Sequence, residues 1–215
     1  MKVLHISTSD IDGGAARAAY RQHRALRSAG VDSWMYVGTK RSDDPNVIGP
    51  RSLIVKAWRR LGFHLDQWPL RFLKSKNRLL SPAWLPGRAL KNALRWQPDL
   101  VNLQWTCGGF ISGASLSHLR NIPTIWTLHD MWAFCGMEHY PDHLRWVDGY
   151  TRENRPADES GLDLNRWAWN RKRKTLVTPM NIVTPSHWLS DCACRSSLMR
   201  NWPVTTIPYA IDTEV

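Results

Sequence analysis

Cysteine is scarce, with 4 in 215 residues, at positions 107, 135, 192 and 194. Spread so thinly and unevenly, they make no disulfide framework, and reduced thiols are expected. Long apolar runs are missing as well. No stretch is long enough to span a bilayer, and the amino-terminal Met1-Lys2-Val3-Leu4-His5-Ile6 is interrupted by His5 and soon by Asp10, so it lacks a signal peptide's apolar core. A cytoplasmic protein is the expectation. Acids are few, 18 Asp and Glu against 29 Lys and Arg, giving +11 at neutral pH. Residues 51 to 80 hold eight Lys or Arg against the single Asp66, or +7, and residues 165 to 174 add five cations with no acid, which leaves −1 for the remainder. The basicity therefore belongs to two local surfaces. Internal repeats are absent too. What is present is a hydrophobic content of 43 %, which argues against disorder, in a chain of the size of one large domain.

Short apolar runs at 2 to 7, 32 to 37, 99 to 104, 122 to 128, 180 to 184 and 203 to 207 read as strands buried on both faces. Helical patterns fill the intervals at 15 to 29, 53 to 61, 90 to 96, 112 to 119, 162 to 176 and 186 to 199. This alternation predicts a Rossmann-like α/β fold, a doubly wound parallel sheet with right-handed crossovers. Pro98, Pro123 and Pro203 fall at strand starts, and Gly30 is placed as a helix C-cap. Residues 136 to 161 read as a long loop at the carboxyl edge of the sheet, where loops commonly carry function.

Three segments converge on that edge. Asp12-Gly13-Gly14-Ala15-Ala16 joins the first strand to the first helix; it suits an anion such as a phosphate at a helix N-terminus, or equally a tight turn with no ligand. The run Thr124 to Leu128 breaks off at His129-Asp130. There an imidazole can hydrogen-bond a sugar hydroxyl or stabilise developing charge, while Asp130 is placed as the cap of a helix starting near Met131. Trp105-Thr106-Cys107-Gly108-Gly109-Phe110 ends the strand before it and presents Trp105 as a platform for a sugar ring. Cys135, His139 and His143 have a zinc-like spacing, but Pro141 breaks any helix through them and a fourth ligand is wanting, so no metal is assigned. Cys192 and Cys194 diverge by about 200° on a helix.

In residues 51 to 63 an apolar stripe of Ile54, Ala57, Trp58 and Leu61 runs with Lys56, Arg59 and Arg60 largely off it, and the basic aromatic pattern continues through Trp68, Phe72, Lys74 and Lys76. This predicts a helix on an anionic membrane surface, with Trp58, Arg59, Arg60, Lys74 and Lys76 as its contacts; the alternative is an ordinary helix covering the sheet. Nucleic acid is not expected, since no recognised binding motif is present.

The strand Lys2 to Ser7 followed by Gly-Gly-Ala-Ala-Arg-Ala-Ala at 13 to 19, the segment 81 to 86, Pro98 to Thr106, Trp126 to Trp132 and Thr184 to Leu189 together resemble the N-terminal domain of family 4-like glycosyltransferases. The resemblance implies the N-terminal half of a GT-B fold, in which two Rossmann-like domains face each other across a cleft, the first binding the acceptor and the second most of the nucleotide-sugar donor. It implies sugar transfer with retention and without a metal or other cofactor, the nucleotide sugar being a substrate. Glycan or lipid-linked acceptors of exopolysaccharide or cell-envelope synthesis are the implied targets, reached peripherally on the inner face of the membrane. By the same resemblance Gly13 and Gly14 belong to the loop near donor phosphates and acceptor, His129 contacts the transferred sugar, and Trp105 and Thr106 face the acceptor. The chain departs from the pattern in having no cysteine at 136 to 161 and in carrying Tyr209-Ala210 where Asn-Gly is usual. The expected organisation is an acceptor-binding domain over 1–207, with 208–215 beginning the linker to a donor-binding domain outside this sequence. The alternative is a non-catalytic module that binds acidic glycan or phospholipid.

Overall fold

A computed structural model describes residues 1–74 and 79–211 of the chain. Its centre is a seven-stranded, wholly parallel sheet. The elements run β1 (Lys2–Ser9), α1 (Gly14–Ser28), β2 (Asp32–Thr39), β3 (Val47–Ile48), α2 (Leu53–Gln67), β4 (Leu73–Lys74), α3 (Ala89–Leu94), β5 (Leu100–Leu103), β6 (Thr124–Thr127), α4 (Arg145–Asp148), β7 (Ser160–Gly161), α5 (Leu164–Thr175), β8 (Asn181–Thr184), α6 (His187–Arg195) and β9 (Val204–Thr206). The sheet order is β3-β2-β1-β5-β6-β8-β9. From β1 the chain therefore winds outward through β2 and β3, then returns to the other side of β1 at β5. The point of reversal opens a crevice at the carboxyl ends of β1 and β5, the place where such sheets bind ligands.

Burial explains why the apolar runs were legible. β1 keeps Val3, Leu4 and Ile6 in the core, and β5, β6 and β8 bury Val101, Leu103, Trp126 and Ile182 against helices on both faces. Trp126 and Trp132 meet edge to face with ring centres 6.5 Å apart, part of one aromatic-rich core that also holds Phe134 and Trp146. α1 packs on β1 and β2 through Ala16, Ala19 and His23, and closes at Gly30, whose φ of 81° supplies the left-handed turn foreseen for it.

Five expectations are corrected. The helix expected from Met131 does not form: Asp130 Oδ1 accepts the Trp132 amide and Met131 N–H donates to His139 O, so the segment makes turns. Gly113–Leu119 is a 3-10 helix, and α6 stops at Arg195 because Ser196 leaves the helical conformation. The helix foreseen at 53 to 61 continues to Gln67 and then into a 3-10 turn at Trp68–Phe72. Residues 136 to 161 are not one long loop: they contain α4 and β7, which pairs antiparallel with β4. Their anchor is Arg145, fully buried, whose guanidinium reaches Asp163 at 2.6 and 3.2 Å, Asn154 at 3.0 Å and the Thr151 carbonyl at 2.8 Å. β3, two residues long, was too short to leave a pattern.

His5 sets an expectation for acid stability. It is fully buried in β1, edge-on to His23 at 5.8 Å, and neither ring nitrogen has a hydrogen-bond partner. Burial, with a smaller push from His23, lowers its pKa to about 3. The unfolded chain takes this proton first, so the stability it represents is complete above about pH 6.5 and is lost as pH falls towards 3; at pH 4 the loss is on the order of 3 kcal/mol. A urea titration across pH 7 to 4 should show this fall, and His5→Leu should flatten it. An unchanged pH profile in that variant would assign the acid sensitivity elsewhere.

Candidate functional site

Carboxylates organise the crevice. Asp10, fully buried at the end of β1, accepts the amides of Ile11 at 3.0 Å, Arg41 at 3.0 Å and Ser42 at 2.8 Å, drawing the 40–42 turn after β2 against β1. Burial alone would raise its pKa; the amides of Ser42 and Arg41 outweigh that, and the net direction is downward. Asp66, the one fully buried residue of α2, accepts the amides of Trp84 at 3.0 Å and Ala83 at 3.3 Å, which ties α2 to the segment expected to mark the family. Neither role was foreseen, because both depend on amides far away in sequence.

A cleft of about 1040 Å³ opens between the 38–51 segment and α2. It receives Trp105 and Gly108 from the β5 side, Asp12 from the β1 loop, and Arg59, Arg60 and Phe63 from α2. Lys56, named above on the basic helix, lines it with Arg51, and so do Lys40 and Arg41, which no motif had marked. Gly13, Gly14 and His129 share the sheet edge but do not line this cleft. Gly13 has a φ of 93°, which the strand-to-helix turn requires, while a Cβ at either glycine would meet nothing within 4 Å. The structure thus leaves open space beside the start of α1. Trp105 is held rather than free, its indole N–H donating to Asp130 Oδ2 at 2.9 Å and its ring lying 5.7 Å from that of His139. Thr106 is buried, its carbonyl accepts the Ile111 amide, and it lines a small pocket together with Trp105 and His129.

His129 stands two residues past the end of β6, in a defined tautomer. Gln104 donates its amide N–H to Gln22 Oε1 at 2.8 Å, which leaves Gln104 Oε1 to accept from His129 Nε2–H at 2.8 Å. Nδ1 is then the acceptor and takes the Tyr209 hydroxyl at 2.6 Å, with the two rings stacked 5.5 Å apart. Burial lowers the His129 pKa to about 4, against a smaller upward pull from Asp130, so the imidazole is neutral at pH 7. Asp130 is engaged on the far side by His139 Nδ1 at 2.6 Å, Trp105 and the Trp132 amide; burial pushes its pKa up, but these bonds carry it below the usual carboxylate value.

The zinc-like spacing does not assemble. His139 is taken by Asp130 and by Ser81 at 2.9 Å, His143 Nε2 by Glu138 at 3.0 Å, and Cys135 is a free buried thiol whose pKa burial raises well above 9. Glu138, His143 and Glu159 do bring ligand atoms within 4.8 Å of one another, yet Arg145 and Arg155 at 3.7 Å from Glu159 already supply the positive charge.

On α2 the expected surface contacts separate. At 100° per residue, Ile54, Trp58, Leu61 and Leu65 share one side, and Lys56, Arg59, Arg60 and Phe63 share the other. The apolar side faces solvent, with Ile54 71 % and Trp58 66 % exposed. Arg59 is corrected: it turns inward, donating from Nη1 to the Gly109 carbonyl at 2.8 Å with its guanidinium 4.9 Å over the Phe110 ring. Lys76 lies outside the described residues, and of Lys74 only the backbone, paired with Ser160 in the small sheet, is described.

This Rossmann-like parallel sheet, with its crevice at the β1/β5 reversal, has the fold of one half of a GT-B glycosyltransferase. The chain belongs to Glycosyltransferase Family 4, whose family model matches residues 12–215. Among solved structures it is similar to the sucrose-phosphate synthase of Thermosynechococcus elongatus, with a TM-score of 0.51 at 12 % identity. That alignment covers 99 % of this chain and 49 % of the other, so the chain spans about half the length of the structure it matches. No curated protein matches the sequence.

Proposed function

We propose that residues 1–207 are the acceptor-binding domain of a glycosyltransferase that moves a sugar from a nucleotide-sugar donor to a glycan or lipid-linked acceptor of exopolysaccharide or cell-envelope synthesis. The linker to a donor-binding domain would begin at 208–215. The observation that carries this reading is the neutral, tautomer-fixed His129 at the carboxyl edge of a family 4 sheet. An acceptor nitrogen held there can accept a hydrogen bond from a sugar hydroxyl, and the neutral ring adds no charge to oppose the positive charge that develops at the anomeric carbon. Gly13-Gly14, with open space beside the start of α1, suits the donor phosphates. Transfer with retention, without a metal, follows the family resemblance. Transfer of labelled sugar by a protein carrying both domains tests the reading.

The proposed setting is the inner face of a membrane, reached peripherally. No helix of the described residues is long and apolar enough to cross a bilayer, whereas α2 offers an exposed apolar side. Joint substitution Trp58→Ser and Leu61→Ser is expected to weaken co-sedimentation with phosphatidylglycerol vesicles roughly 30-fold, about 2 kcal/mol of lost apolar burial. Unchanged co-sedimentation would make α2 a cover for the cleft and nothing more. The second reading, a non-catalytic module for acidic glycan or phospholipid, draws on the occupied Nδ1 of His129 and on a basic cleft formed without that residue. The labelled-sugar assay separates the two.

A further inference from the structure

Six cations line the large cleft, Lys40, Arg41, Arg51, Lys56, Arg59 and Arg60, against the acids Asp12 and Asp43. Asp12 is already paired with Arg41 at 3.2 Å. Among the described residues none of Arg51, Lys56, Arg59 and Arg60 forms an ion pair. Such an excess on a concave surface attracts an anion, but solvated lysines and arginines alone would not define a site.

Arg59 supplies what they lack. Its guanidinium is half-buried between Phe110, the Gly109 carbonyl and the end of β2, the pull of Asp66 only partly offsets its desolvation, and its buried Nε has no hydrogen-bond partner. A desolvated cation with an idle N–H is costly unless an anion completes it. The backbone is shaped around this side chain: a Cβ on Gly38 would stand 2.6 Å from Arg59 Nη2. Absence of a side chain at 38 and a carbonyl at 109 together fix a planar donor at the cleft wall, the geometry that arginine uses for phosphate. The cleft is also larger than a lone ion needs, and Trp105 and Phe63 give it apolar surface.

We propose that this cleft is a subsite for a phosphoryl group on the acceptor, with Arg59 as its fixed contact and Lys40, Arg51, Lys56 and Arg60 providing the surrounding field. The proposal rests on reading the chain as the acceptor half. The phosphoryl group can be borne by a soluble sugar phosphate or by a lipid, and the recognition chemistry is the same.

The test is calorimetric titration of the 215-residue chain with inorganic pyrophosphate, glucose 1-phosphate, farnesyl pyrophosphate and, as an uncharged control, glucose. The phosphoryl probes should bind and glucose should not, and the tighter of glucose 1-phosphate and farnesyl pyrophosphate identifies a soluble or a lipid-borne source. Arg59→Gln should weaken pyrophosphate binding about tenfold or more, as loss of a charge-assisted hydrogen bond does. Gly38→Ala should do the same while keeping the arginine, by displacing its flexible end. Thermal melts report whether each variant folds, and Arg200→Gln, an exposed cation past α6, should bind as the parent does. Absence of phosphoryl binding at millimolar concentration, or parental affinity in both Arg59→Gln and Gly38→Ala, would overturn the subsite. Phosphoryl binding lost in both variants, with no sugar transfer in the two-domain protein, would instead keep the subsite and remove the glycosyltransferase reading.

Discussion

His129→Ala is expected to cut sugar transfer by about 100-fold or more, about 3 kcal/mol, while changing stability by only about 1 kcal/mol. The two effects separate because the residue's contacts are polar and at the edge of the fold. Nε2–H is committed to Gln104, itself held by Gln22, so Nδ1 is aimed as an acceptor before any substrate arrives. Tyr209 fills that position, and a sugar hydroxyl would take its place. With a pKa lowered to about 4, the ring stays neutral through the physiological range, and transfer should fall only as pH approaches that value and Nδ1 becomes a donor. Turnover and thermal unfolding of the variant in the two-domain protein check this. Near-normal turnover, or a collapsed melt that accounts for all the lost activity, would return His129 to a structural role.

Lys172→Met should be the most destabilising of the simple substitutions, by about 3 kcal/mol, a fall in Tm of roughly 6–12 °C for a chain of this size. Lys172 is buried in α5, and its ammonium donates to the carbonyls of Trp132, Gly136 at 2.7 Å and Cys135 at 3.1 Å while lying 3.7 Å over the Trp132 ring. Burial lowers its pKa to about 8 despite the opposing pull of nearby Cys107 and Cys135. It is still largely protonated at pH 7, and the side chain closes the 131–136 turn that the sequence had suggested would be a helix. Methionine keeps the volume but leaves three buried carbonyls without their donor. A Tm within about 2 °C of the parent would mean that water or backbone rearrangement satisfies them instead.

Apolar strands were legible in the sequence because a parallel sheet buried on both faces favours hydrophobic runs, as β1, β2, β5 and β6 show; the edge strand β9, Val-Thr-Thr with Thr205 exposed, is not buried on both faces as expected. Their carboxyl ends located Gly13, Gly14, Trp105 and His129 on one edge. The large cleft was hidden for a physical reason. It is made by Asp10 gripping amides 31 and 32 residues away and by Asp66 gripping amides 17 and 18 residues away, long-range contacts that leave no periodicity. Charge pattern alone put Arg59 with the outward-facing cations, whereas packing against Phe110 and the gap at Gly38 turn it inward. The 136–161 segment looked like one long loop because Pro141, Gly149, Pro156 and Gly161 stand among mixed charges, yet Glu138, His139 and Arg145 are buried, bonded to Tyr150, Ser81 and Asn154 respectively. Tyr209 was visible as a departure from the family pattern, but only the folded chain shows it reaching back to His129.

The central claim is that this sheet edge receives an acceptor for sugar transfer. It is tested most directly by incubating the two-domain protein with radiolabelled UDP-, GDP- and ADP-sugars and bacterial membranes, then counting label in the lipid-extractable and polymeric glycan fractions. The expected result is label from one nucleotide sugar entering one of those fractions, with the His129→Ala protein about 100-fold slower. Label that stays in the nucleotide sugar across the whole panel, or that is transferred equally well without the His129 imidazole, would contradict the account.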